Sequence, residues 1–298
     1  MATAQSAIVT TSIEIDLKQT NLWSDAWRRL RRNRLALVAT IYLVFLVGIA
    51  LLAFVWTPYR MSEVGVTQTY APPSSAHLLG ADELGRDILS RLMVGAQVSL
   101  IVGVGTQILV VAVGVPIGLL AGYYKGTLDT ILSFIINVFY GIPDLLVAMI
   151  LVFILGPSLR NIIIAIVATR WMDMARLVRG QALALREREF IEAARGAGAR
   201  PAKVLFGHIF PNALGPIIVQ ATLGIPAAIL FEAFLSFLGV GVQPPTPSWG
   251  SMANEGVQAI QYAPHMVIAP AIALSLTLMA FNFLGDGLRD ALDPRSRR

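Results

Sequence analysis

Long stretches without a charge decide what this chain can fold into. Leu35–Trp56 runs 22 residues with no charged side chain, Val98–Gly122 runs 25 with none, and Met266–Leu284 runs 19 with none. Ile131–Leu155 and Leu214–Leu238 run 25 residues each with one acid apiece, Asp144 and Glu232. About 20 apolar residues in a helix are enough to cross the hydrocarbon core of a bilayer. A sixth run, Ile162–Thr169, is too short alone. It becomes a span if its helix extends from about Leu159 through Arg170 and Asp173 to about Leu177. The expected architecture is an all-α membrane protein with six transmembrane helices. Charged residues make up only 14% of the chain, where soluble domains carry about 25%. The first run is too long, and begins too late, to be the short core of a secretory leader. It reads as a retained helix.

The basic residues give an orientation. With both termini cytoplasmic, 18 of the 23 Lys and Arg fall on the inner side and 4 outside (Arg60, Arg86, Arg91 and Arg160), while Arg170 lies within the fourth span. Cytoplasmic loops of membrane proteins carry this excess of positive charge, so it also accounts for a pI near 9.8 without nucleic acid. The split supports an even number of spans. The chain then divides into a cytoplasmic tail at 1–34, a first span at 35–57, an external segment at 58–96, a core of five spans at 97–288 and a cytoplasmic tail at 289–298. Residues 1–20 show no helical apolar period. Within Asn21–Leu30, Trp23, Trp27 and Leu30 share one helical face opposite arginines, the pattern of a helix lying at the lipid interface. Ala81–Arg91 opens a helix leading into the second span. Residues 239–264, with Pro244, Pro245, Pro247 and Trp249, read as a rigid polar loop over the outer mouth. Small residues in the second span favour close helix packing in lipid.

The segment 186–207 is too charged to cross lipid. Glu189–Arg195 reads as a short helix with Phe190, Ile191 and Ala194 as an apolar face; Gly196 and Gly198 end it, and Pro201 opens a second short helix. Apolar knobs with a charged rim suit docking into a groove on another protein.

Here the residues resemble a family. Glu192-Ala193-Ala194, Gly198 four residues on and Pro211 thirteen beyond it resemble the EAA signature of ABC-importer permease subunits. His208-Ile-Phe-Pro-Asn212, with His208 and Phe210 in place of the general Ile and Leu, resembles the dipeptide/oligopeptide/nickel branch. So do His77–Asp87, Leu185–Phe190, Leu235–Gly239 and Gly285–Pro294. The likeness covers about residues 25–298 and is close to the C-type permease of dipeptide and oligopeptide importers. It implies a type I importer permease fold in a bacterial or archaeal plasma membrane. It also implies a coupling helix carried by Phe190, Glu192, Ala193, Ala194, Gly198, His208 and Pro211. The partners it implies are a homologous permease, two cytoplasmic ATPase subunits that bind ATP and Mg, and an external binding protein. The substrate would be a di- or oligopeptide, with a nickel chelate, glutathione or small oligosaccharide as alternatives.

The remaining residues bear on mechanism. None of the three lysines follows a glycine, so the chain carries no phosphate-cradling Gly-Lys loop. The three histidines are scattered and form no metal pair, and there is no cysteine. The chain reads as a non-catalytic subunit without a cofactor or metal of its own. Asp144, Glu232, Arg170 and Asp173 are the candidates for a translocation path or gate. Glu232 suits a structural or gating role better than contact with substrate. Arg170 and Asp173, three apart, can pair on one helix face, either toward the bundle interior or at an interface. His208 reads as a polar contact at the membrane boundary. Two other classes stay open: a secondary transporter or channel needing no ATPase, and a membrane scaffold.

Overall fold

The structure is a computed structural model that describes residues 22–292. The readings made for residues 1–21, and for the tail beyond Leu292, lie outside the described residues.

Every regular element is helical. Helix α1 (Leu22–Arg32) is followed directly by α2 (Arg34–Leu52), and between them Asn33 caps α2 by accepting from Ala36 N at 3.1 Å. Leu30 buries against Ala36 and Ala291, while Trp27 is 52% exposed beneath the Arg31 guanidinium. The amphipathic helix is thus anchored on the end of the last helix as well as presenting an aromatic outward. Helix α3 (Ile88–Tyr124) has Asp87 as its cap, accepting from Ser90 N. The helix of the Ala81–Arg91 stretch therefore begins only at Ile88. Residues 81–87 instead form a tight turn closed by a bridge between Ala81 and Asp87.

The expected third span needs correction. It is two helices, α4 (Gly126–Tyr140) and α5 (Asp144–Leu155), bent by 86°. The break falls at Gly141-Ile142-Pro143, and the residue before a proline is disfavoured in helical conformation. Helix α6 (Leu159–Arg186) is one rod of 28 residues, about 42 Å at the usual rise. By length and composition four helices can cross a membrane (α2, α3, the run Pro201–Phe237 and α11), or five if the bent pair is one span. The charges of α6 keep it out of that set despite its length.

After α6 come α7 (Glu189–Gly196), α8 (Pro201–Val204), a wide π turn at Leu205–Ile209 and α9 (Phe210–Phe237). The expected loop over 239–264 also needs correction, since it contains α10 (Trp249–Gln258). A capping box between Ser248 and Ser251 starts that helix, and Trp249, Met252 and Gly256 bury its inner face. Helix α11 (His265–Leu292) completes the fold.

The most extensive packing is α3 on α6. A Cβ on Gly114, Gly118 or Gly122 would stand 2.7, 2.5 and 2.6 Å from the carbonyl oxygens of Trp171, Ala175 and Arg179. Glycines four apart on α3 thus meet backbone four apart on α6. This small-residue seam is how helices approach in lipid, where apolar burial alone gives no preference for protein over acyl chains. It fixes α6, charges included, in the middle of the bundle.

Candidate functional site

Three polar constructions stand out, at the elbow after α6, in the bundle and around the start of α3.

The elbow is α7, a turn and α8. Ile191 is fully buried among Val178, Ala182, Val204, Leu205 and Ile209. It is therefore not part of an outward apolar face, which corrects the sequence reading. One turn of helix cannot bury Ile191 and present Phe190 on the same side. Phe190 is 45% exposed, Glu192 and Ala193 are exposed, and Ala194 is half-buried. Gly198 sits at φ +79°, with open space where a Cβ would be. A left-handed residue here reverses the chain, and glycine adopts that conformation at no steric cost. Ala199 N donates to Ala194 O across the turn at 3.0 Å.

Polar contacts that the sequence reading did not find tie the elbow to the end of α3. The Arg195 guanidinium lies over the Tyr123 ring at 5.1 Å, and Arg186 Nη1 donates to Tyr123 O at 2.5 Å. Lys125 Nζ pairs with Glu187 at 2.6 Å and holds that carboxyl below the usual carboxylate range. His208 is half-buried in the π turn, whose geometry lets Phe210 N donate five residues back to Leu205 O. Asn212 Nδ2 donates to His208 O at 2.7 Å, and Pro211 is exposed beside it. His208 and Pro211 therefore mark the re-entry into α9, apart from the outward face of α7. π turns recur at functional sites.

In the bundle, Arg170 and Asp173 do not pair with each other, which corrects a second expectation. Arg170 Nη2 reaches Asp144 Oδ2 at 2.8 Å, and its guanidinium faces the Phe231 ring at 5.0 Å. Asp173 accepts from the Tyr140 hydroxyl. The α4–α5 break is the cause. It places Tyr140 and Asp144, at the two facing helix ends, against successive turns of α6. Arg170 and Asp173 line a cavity of about 220 Å³ between α3, α6 and α9, with Gln107, Gln220, Gly224 and Ala228. Glu232 is not among its lining residues. It is fully buried near the C-terminal end of α9, where Ser236 Oγ donates to its Oε1 at 2.6 Å. Ser236 Oγ in turn accepts from Val242 N at 3.1 Å, so Glu232 helps hold the chain that leaves α9.

Around the start of α3 is an ion-pair cluster that sequence reasoning missed. Arg86 Nε donates to Asp82 Oδ2 at 2.6 Å, and Arg91 pairs with the same carboxylate. Arg91 also binds Glu255 of α10 through two nitrogens, at 2.6 and 3.0 Å. His77 Nδ1 lies 3.0 Å from Asp87 Oδ1, and Trp249 Nε1 donates to Leu92 O at 3.1 Å. The segment before α3, the start of α3 and α10 are thereby one unit. The acid–base alternation of Asp82, Arg86, Asp87 and Arg91 was a local signal for part of it; Glu255, 164 residues away, was not recoverable by spacing.

Comparison with known proteins places these features. Residues 114–298 match the family described as binding-protein-dependent transport system inner membrane component. Residues 21–73 match the N-terminal transmembrane domain of oligopeptide transport permease C. A dipeptide transport system permease protein of Bacillus subtilis (strain 168) is 45% identical over 92% of this chain and 86% of its own. An oligopeptide transport system permease protein of the same organism is 42% identical over 96% and 93%. A glutathione transport system permease protein of Pectobacterium atrosepticum is 42% identical over 92% and 91%. Among solved structures, an inward-facing methionine ABC transporter matches with a TM-score of 0.57 at 21% identity, over 68% of this chain and 96% of that one. That likeness speaks for the fold.

Proposed function

This chain belongs to the family of binding-protein-dependent transport system inner membrane components, and on that premise we propose that it forms half of the pathway of an ATP-driven importer for di- or oligopeptides. The elbow is the observation that carries the reading. Ile191, Val204, Leu205 and Ile209 root it in the bundle, while Phe190, Glu192 and Ala193 remain free to enter a partner's groove. A domain driven from outside needs both a rigid root and an accessible knob. The peptide class rests on the dipeptide and oligopeptide relatives. Glutathione, a tripeptide, is the second substrate, favoured by the 42% identical relative.

In this reading six helices cross the membrane with both termini in the cytoplasm, α4 and α5 together making the third span and α6 the fourth. A homologous permease completes the pathway. Two ATPase subunits bind ATP and Mg and take up the elbows, and a binding protein docks outside, on the unit built by Asp82, Arg86, Arg91 and Glu255. This chain performs no chemistry. Closure of the ATPases moves the elbows, and Arg195, Arg186 and Lys125 pass that motion to α3, alternating access between the two sides. The test is uptake by proteoliposomes holding the complete complex. Labelled dipeptide should accumulate only with ATP inside and binding protein outside. Uptake without ATP, driven by an ion gradient, would move the chain to the secondary transporters.

A further inference from the structure

We propose that the cavity between α3, α6 and α9 is a site for main-chain zwitterions, with Asp173 receiving an ammonium group and Arg170 a carboxylate. The inference rests on the import reading above and names the chemistry recognised along the path.

The cavity is placed for passage. Counted along the rods at 1.5 Å per residue, Arg170 and Asp173 lie about 17 and 21 Å from the start of α6 and Gly224 about 21 Å from the start of α9. All three therefore sit near mid-helix. Two charges of opposite sign face one small space there, although ionisable groups inside a membrane are costly and mark pathways. Neither is used up. Arg170 has a single ion pair, through Nη2, while a guanidinium carries five N–H donors. Asp173 receives one bond, from the Tyr140 hydroxyl, and a carboxylate accepts several. Gln107, a buried residue on the same wall, donates through Nε2 to Gly224 O at 3.0 Å, and its own amide oxygen accepts no hydrogen bond among the described residues. Its carbonyl end is available to an incoming N–H. The Gln107 amide fills the place of a side chain at Gly224, and the small Ala227 and Ala228 leave room beside it. Side chains three apart on a helix stand about 5–6 Å apart at Cβ, and a two-residue chain spans at most about 7 Å. A dipeptide thus meets both charges at once, and a longer peptide meets them by one terminus at a time.

The test uses the assembled complex in nanodiscs without binding protein, titrated by ligand-observed NMR with alanyl-alanine, its N-acetyl form, its C-terminal amide and the doubly capped form. Each cap should weaken binding at least fivefold on the wild-type complex. In Asp173→Asn, the free and acetylated dipeptides should bind equally weakly. In Arg170→Gln with Asp144→Asn, the acid and the amide should become indistinguishable. Caps without effect on the wild type, or variants that keep the full discrimination, would overturn the site. Proteoliposome uptake of alanyl-alanine runs in parallel: uptake with no effect of the caps sinks this site alone, and absent uptake sinks the import reading with it. The wild-type series needs no variant to fold.

Discussion

Single residues in this chain are held by backbone proximity and by buried charge, and each makes its own prediction. Gly118 leaves no room for a methyl group against Ala175 O, whereas the nearest atom to a Cβ on Gly105 is Ile163 Cδ1 at 3.8 Å. Gly118→Ala should therefore destabilise by about 1–3 kcal/mol through overpacking. Gly105→Ala, in the same helix, should be neutral or stabilise by up to about 1 kcal/mol through propensity. Thermal unfolding of the purified complex separates them, and equal midpoints would mean the glycine seam is not closed. Arg91 is buried between Asp82 and Glu255. Arg91→Ala removes the cation shared by both acids and leaves Arg86 as their partner, so the cost should approach that of breaking a buried ion pair, about 3–5 kcal/mol, without exceeding it. The midpoint should fall by many degrees. A change within error would show that the cluster of Asp82, Arg91 and Glu255 is solvated. At this scale the sequence was legible where a residue acts on its neighbours, as for Gly198 and Pro201. It was misleading where the partner is distant. Arg170 and Asp173 satisfy the spacing rule for a helical pair, yet Asp144 and Tyr140 are brought in by a bend that apolarity alone does not announce.

Among the elements, the elbow was the most legible because its glycine and proline signals act within a few residues. The α4–α5 break was the least. A run of 25 residues with one acid reads as one rod, and the bend rests on Gly141 and Pro143 alone. Helix α10 was hidden for another reason: it is too short for an apolar period to stand out, and its fixing contacts are with α3, α9 and α11. The elbow supplies the prediction here. Gly196 and Gly198 both have free space at Cβ, but only Gly198 has a positive φ. Alanine in left-handed backbone costs about 1–2 kcal/mol, so Gly198→Ala should lower binding-protein-stimulated ATP hydrolysis severalfold, with basal hydrolysis kept. Gly196→Ala should change neither. An equal loss in both would mean that the elbow needs flexibility rather than a fixed reversal.

For the whole molecule, the count of apolar runs gave the class, and the distribution of Arg and Lys gave an orientation that still calls for a direct reading. The chain has no cysteine, so introduced ones are unique labels. On the six-span arrangement, Glu83→Cys and Pro157→Cys should react with an impermeant maleimide on intact cells, and Ala197→Cys only after permeabilisation. All three positions are exposed. Protection of Pro157→Cys would mean that α4 and α5 dip into the membrane and return. On the import reading a soluble ATPase drives this bundle through the elbow. That coupling is tested most directly by ATP hydrolysis of the co-expressed complex in lipid, with Glu192→Arg and Gly198→Pro beside the parent and assembly checked by size. Hydrolysis should be stimulated by loaded binding protein in the parent, and both variants should lose that stimulation while the complex stays intact. Stimulation unchanged in both variants would contradict the coupling and make the elbow a passive connection.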